Sequence, residues 1–208
     1  GALELCVIAQ EMGRSLAPVP FSSSVYLFTE ALIQQGSEEQ KQRWLPALAA
    51  GVAIGTLAIA EQLGSGATGS ATVVDGKLYG AKIAVPDGSH ASTFVVTAKD
   101  VHGNTNLYVV SGDQAGISRV TVTSVDLSRD FANVTFDACD CELLGQEGSG
   151  DDALAAINNA AATYIAFEQL GGSEACLAMG MAYTRERYAF GAPVASFQAI
   201  KHKFADMF

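Results

Sequence analysis

The side chains best suited to chemistry lie near the end of the sequence. Residues 185–208 hold Arg185, Arg187, Lys201 and Lys203 against Glu186 and Asp206, a local charge of +2 in a chain whose formal net charge is −10. A planar guanidinium grips a phosphate or pyrophosphate through two parallel charge-assisted hydrogen bonds. A basic island on an otherwise acidic protein is therefore the composition an anionic ligand needs. The plainer alternative is that Arg187 pairs with Glu186 or another helix acid, and that Phe190 is core. His202, four residues after Gln198, could face the same anion, whereas His90 and His102 fall in turn-rich polar segments and read as solvent-exposed. The cysteines Cys6, Cys139, Cys141 and Cys176 do not form a metal set, because Cys139-Asp140-Cys141 has the wrong spacing for a zinc knuckle and no histidine is near it. They read as reduced thiols of a soluble cytoplasmic protein. Gly64-Ser65-Gly66-Ala67-Thr68-Gly69 lacks the lysine of a P-loop and precedes a strand, so it reads as a flexible loop that can border a ligand. The sequence offers no Ser–His–Asp set and no metal-spaced acid cluster.

Composition bounds the elements that must position these groups. With 208 residues, 49% of them hydrophobic and 16% charged, the chain can bury roughly 70% of its unfolded surface and build its own core. The excess of 22 acids over 12 bases argues against a nucleic-acid binder, which needs a basic face. No apolar run approaches the ~18 residues of a membrane span, and no basic–apolar–small leader precedes the first helix.

The first fifty residues read helical. Leu5, Ile8 and Met12 form one stripe, closed by Pro18 and Pro20. Ser22 to Ser24 can cap a second helix running to Gln35, with Gly36 at a left-handed C-terminal cap. Ser37 and Gln40 have the spacing of a capping box for a third helix carrying Trp44 and Leu48. From Val52 to about Asp137 short β-branched runs alternate with turns, including the hairpin signal Val74-Asp75-Gly76-Lys77. Strands without intervening helices predict an antiparallel barrel or sandwich. After Gly148-Ser149-Gly150 an alanine-rich helix runs past Gly171-Gly172, whose small side chains mark close approach by another helix, to about Tyr188. Gly191-Ala192-Pro193 breaks the chain, and a last helix starts near Ser196. It reaches residue 208 with no stop signal, so the numbered chain is expected to be part of a longer subunit.

The stretch Arg187-Tyr188-Ala189-Phe190-Gly191-Ala192-Pro193, followed by Phe197-Gln198-Ala199-Ile200-Lys201-His202-Lys203-Phe204-Ala205-Asp206-Met207, closely resembles the C-terminal signature of acyl-CoA dehydrogenases. Glu11-Met12-Gly13-Arg14 before Pro18-Val19-Pro20 is similar to that family's N-terminal helical domain, as is Gly36-Ser37-Glu38-Glu39-Gln40-Lys41 before Trp44-Leu45-Pro46. Leu57-Ala58-Ile59-Ala60-Glu61 resembles the strand that meets the flavin, and Gly80-Ala81-Lys82 with Val85 resembles the next one. The resemblance implies an α+β multidomain chain. Residues 1–52 would end an N-terminal helical domain, 53–147 would form a middle antiparallel β-barrel-like domain, and 148–208 would start a C-terminal four-helix bundle.

The same resemblance implies an FAD-dependent subunit that oxidises an acyl-CoA thioester to its α,β-enoyl form. It implies a homo- or hetero-tetramer and an electron-accepting protein partner. By family pattern Arg187, Phe190 and Gln198 would contact the adenosine-diphosphate half of FAD from the neighbouring subunit. Backbone groups of Ile59, Ala60 and Glu61 would meet the isoalloxazine, although a plain core strand is the alternative. Ala60 and Gln62 stand where threonine and proline are usual. Ala84 and Pro86 stand where an aromatic and a hydroxyl residue lie beside the flavin, and proline offers neither an amide donor nor a hydroxyl. The catalytic glutamate is expected beyond residue 208. A minority of the family carries it at the position of Ala161, with arginine at Ala162. Glu168 and Glu174, on the same helix, read as polar-face or interface residues. These departures leave an alternative open: a non-catalytic partner subunit of a heteromeric dehydrogenase that lends cofactor contacts across an interface.

Overall fold

The two helical ends and the β-branched middle fold as distinct elements, and the computed structural model describes residues 1–62 and 70–208 of them. In chain order these are α1 (Ala2–Ser15), a π-helical segment (Ser22–Thr29) running into α2 (Glu30–Gln35), α3 (Glu38–Ala49), and the strands β1 (Gly55–Ala58), β2 (Thr72–Val74), β3 (Lys77–Pro86), β4 (Thr93–Lys99), β5 (Thr105–Ser111), β6 (Ile117–Thr121), β7 (Phe131–Asp140) and β8 (Glu142–Leu144). Then come α4 (Gly150–Glu186), a small hairpin of β9 (Tyr188–Ala189) and β10 (Ala192–Pro193), and α5 (Gln198–Met207). Two compact units result: Pro18–Ala162, and Gly1–Ala17 together with Thr163–Phe208.

In the first of these units the strands lie in the order β6-β7-β3-β2-β4-β5-β8, with β1 added against β4. Most strand pairs are antiparallel as expected, but the sheet does not close into a barrel. The sheet is open, with β6 and β8 at its ends, and it is mixed: β1 runs parallel to β4, pairing Gly55 through Ala58 with Thr93 through Val96. The β2–β3 hairpin serves as the crossover that brings the chain back alongside β1, a role normally taken by a helix. That hairpin turns on Asp75 and Gly76, both at positive φ, as the Asp-Gly signal requires. Central strands β1 and β4 are buried on both faces, whereas β7 alternates, with Ala132, Val134 and Phe136 inward.

One core lies among Val85, Phe94, Val96, Val134 and Phe136, where the Phe94 and Phe136 rings meet edge to face at 5.7 Å. A second joins Phe28 and Leu32 from the helices to Leu57, Val95 and Val109 from the sheet and Ile157 from α4. Burying each such side chain contributes about 1.5–3 kcal/mol. The capping box is present, Gln40 N donating to Ser37 Oγ (3.2 Å) and Ser37 N to Gln40 Oε1 (3.0 Å). The serine cap of the second helix is not. Ser23 Oγ instead donates to Asp87 Oδ2 at 2.5 Å, and Ser24 Oγ exchanges hydrogen bonds with the backbone of Gly55. Tertiary partners have outcompeted the helix's own orphan amides. Gly36 is extended (φ −70°, ψ 142°) rather than left-handed, because it leads straight into Ser37, the N-cap of α3.

The other unit pairs α1 with the later part of α4. A Cβ on Gly13 would fall 1.7 Å from Glu168 O, and one on Gly171 would fall 1.8 Å from Gln10 O. These helices touch backbone to backbone, which is why glycine is tolerated in mid-helix at about 1 kcal/mol relative to alanine. Among the described residues no helix is long and apolar enough to cross a membrane.

Candidate functional site

Two groups of residues carry the chemistry singled out from sequence, one in each unit. In the sheet unit, β1 ends at Ala58 and the chain continues through half-buried Ile59, Ala60 and Glu61. Their setting is organised by a residue that sequence reasoning passed over. Lys82 shares the inward parity of Leu78 on β3, and its side chain is fully buried. Its ammonium donates to Glu61 Oε1 (2.6 Å), Thr97 Oγ1 (2.9 Å) and the Ile59 carbonyl (3.0 Å). Glu61 in turn accepts from the amides of Ser70 and Ala71. Burial lowers the Lys82 pKa, opposed by the hydrogen bond and charge of Glu61. The Ala60 carbonyl accepts from Ile83 N at 2.8 Å. A lone lysine at an inward position of an alternating strand was the available signal.

The neighbouring edge of β3 carries a bulge opposite β7, where the register shifts between Lys82 and Val85. Ala84 sits in it at φ 49°, exposed, and its N–H donates to Asn133 Oδ1 (3.0 Å). The Pro86 carbonyl accepts from Thr56 Oγ1 at 2.6 Å. Positions 84 and 86 thus present neither an aromatic ring nor a hydroxyl.

In the second unit, α4 stops at Glu186 and β9 and β10 form a two-residue hairpin whose turn is Phe190-Gly191. Both turn residues have positive φ (53° and 78°), as a type I′ turn demands. For a phenylalanine this left-handed conformation costs about 1–2 kcal/mol. The residue is nonetheless 98% exposed, and its ring meets that of Phe197 in a T-shaped contact at a centroid distance of 6.3 Å. Arg187 is exposed, and among the described residues its guanidinium makes no hydrogen bond or ion pair. The pairing with Glu186 or a helix acid is absent there, and Phe190 is not core. Gln198, the first residue of α5, is exposed and lies 3.2 Å from His202 Nε2.

Ala161 is buried and Ala162 exposed, so no carboxylate occupies that part of α4. Glu174 binds Arg14 and Gln10 across the α1–α4 contact, and the Glu168 carbonyl lies against Gly13, which makes both interface residues. His90 and His102 are exposed. All four cysteines are free, and no metal-holding cluster is found among the described residues. The Gly64–Gly69 stretch lies outside the described residues.

The described residues thus comprise a helical segment, a sheet and a long helix followed by the exposed Arg187, Phe190 and Gln198. Known proteins share this arrangement. The family model "Acyl-CoA dehydrogenase, N-terminal domain" matches residues 1–52, and "Acyl-CoA dehydrogenase, C-terminal domain" matches residues 148–208. An acyl-CoA dehydrogenase of Bacillus subtilis (strain 168) is 32% identical, over 95% of this chain and 56% of its own length. The butyryl-CoA dehydrogenase of Megasphaera elsdenii shares the fold at a TM-score of 0.90 and 24% identity, covering 100% of this chain and 59% of that one. A glutaryl-CoA dehydrogenase from Mycobacterium smegmatis, solved in complex with FADH2, matches at a TM-score of 0.78 and 27% identity, over 89% of this chain and 50% of that one. The chain belongs to the acyl-CoA dehydrogenase family. It spans a little over half the length of the relatives it matches.

Proposed function

We propose that this chain is part of an FAD-dependent dehydrogenase subunit that converts an acyl-CoA thioester to its α,β-enoyl form. The observation that carries this reading is the hairpin after α4. The fold holds Phe190 in a strained turn with its ring in solvent, and beside it in sequence leaves a guanidinium unmatched. Strain and exposure together indicate a ligand rather than folding stability. A dinucleotide fits the set: Arg187 would hold its pyrophosphate, Phe190 its flat apolar surface and Gln198 its polar edge, with the N-terminus of α5 adding favourable amides. Domain segments 1–52, 53–147 and 148–208 are supported by the family matches at either end.

FAD, when bound, supplies the hydride acceptor. The chain's own residues bind and orient. Because the carbonyls of Ile59 and Ala60 already accept hydrogen bonds inside the fold, the segment Ile59–Glu61 would address the flavin through N–H donors. Such donors favour negative charge building up on the pyrimidine edge. Ala84 and Pro86 supply nothing comparable. No carboxylate of this chain is assigned as the base for the α-proton. Reduced cofactor must be reoxidised, so an electron-accepting protein partner belongs to the reading. So does a homo- or hetero-tetramer in which Arg187, Phe190 and Gln198 reach a neighbour's cofactor. Four free cysteines support a cytoplasmic location. The non-catalytic alternative is not favoured by the comparisons, whose curated relatives include acyl-CoA dehydrogenases.

The test is the visible spectrum of the full-length protein. A flavin band at about 450 nm that bleaches anaerobically with an acyl-CoA is expected; a protein that takes up no FAD at any concentration would refute the reading.

A further inference from the structure

A buried ion pair is seldom kept for stability, since apolar residues of the same volume often do as well or better. Lys82 and Glu61 are 0% and 4% exposed at the side chain, and one of the three acceptors that the ammonium engages is the backbone carbonyl of Ile59. A trans peptide unit is planar, with its C=O and N–H pointing in opposite directions. When Lys82 draws the Ile59 carbonyl inward, the N–H of the same peptide, that of Ala60, turns away from the lysine. The next peptide is fixed likewise, through Ile83 N on the Ala60 carbonyl at 2.8 Å. Glu61, held by Lys82 at 2.6 Å, ties the Ser70 and Ala71 amides to the same point. Thr97 Oγ1 on β4 completes the ammonium's set. The cation thus holds both ends of the segment Ile59–Glu61, while Ile83 N fixes the peptide between them.

We propose that Lys82 is a positioning residue for the cofactor: by holding the Ile59 carbonyl and the Glu61 carboxylate it aims the Ala60 N–H at the pyrimidine edge of the flavin. The inference rests on the flavin reading above and deepens it. The ammonium and carboxylate cancel each other's charge at a distance, so the effect on the cofactor is geometric rather than electrostatic. A neutral replacement of both side chains separates the two possibilities.

In the full-length protein, Lys82→Met leaves a buried carboxylate uncompensated, which lowers the melting temperature and FAD affinity together. Lys82→Met with Glu61→Gln removes both charges. It is expected to recover most of the melting temperature of the apoprotein, yet to bind FAD about tenfold more weakly. Its flavin potential should be about 30 mV lower, a tenfold loss of preference for the reduced form of a two-electron couple. A double variant with the wild-type FAD affinity and potential would overturn the proposal while leaving the flavin reading intact. A wild-type protein that shows no flavin band would overturn both. Should the double variant fail to fold, Thr97→Val keeps both charges and drops one acceptor of the ammonium. It is expected to weaken FAD binding about threefold and to lower the potential in the same direction, and no change in either would again refute the role of Lys82.

Discussion

Cys141 is only half-buried, yet burial, with Asp140 and Cys139 as further causes, pushes its thiol up to about 11 from an ordinary 9.0. Accessibility and acidity therefore disagree about its reactivity, and the thiolate is the nucleophile. At pH 7.5 Cys141 is expected to alkylate about a hundredfold more slowly than an unperturbed thiol, followed peptide by peptide in a mass spectrometer. Between pH 9.0 and about 11 the folded chain keeps a proton that the unfolded chain has released, so stability falls as pH rises through that window. Cys141→Ala should remove this part of the decline in denaturant titrations. Lys82 teaches the opposite lesson. Its lowered pKa comes from burial against the pull of Glu61, and it marks a residue whose partners matter more than its proton.

At the scale of elements, the α1–α4 contact is set by glycine rather than by apolar side chains. Gly171 was legible from sequence as a site of close approach, and the distance of 1.8 Å from its would-be Cβ to Gln10 O shows how close. Gly171→Ala should destabilise the unit by about 3 kcal/mol or more, because neither backbone can give way cheaply; thermal unfolding would show it. Capping at Ser37 was legible because Gln40 is local to it. Capping at Ser22 to Ser24 was misread, since Asp87, Arg129 and Gly55, far away in sequence, claim those hydroxyls. The bulge at Ala84 was equally hidden. Alternation continues through it on paper, but the extra residue puts Lys82 and Val85, three apart, on one buried face.

For the whole molecule, the charge pattern and the hairpin lead to one separable expectation. Nothing described inside the fold uses the Arg187 guanidinium, so in the full-length protein Arg187→Ala should change folding stability by less than about 0.5 kcal/mol. Losing the charge-assisted contact proposed for it, about 1.5–3 kcal/mol, should nevertheless weaken FAD binding roughly ten- to hundredfold, measured by fluorescence quenching of the added cofactor. Equal losses of stability and affinity would mean that the side chain serves the fold.

Local patterning by itself determined the two helical ends, most strands, the Asp75-Gly76 hairpin and the basic terminal island, because each depends on neighbours within a few residues. Tertiary structure alone decided that the sheet stays open and pairs β1 parallel to β4, because strand pairing joins segments nearly forty residues apart. It alone showed Lys82 binding Ile59, Glu61 and Thr97, since three strangers in sequence meet only once the chain has packed. It also held Phe190 out in solvent, where hydrophobicity read from the sequence would have placed it inside.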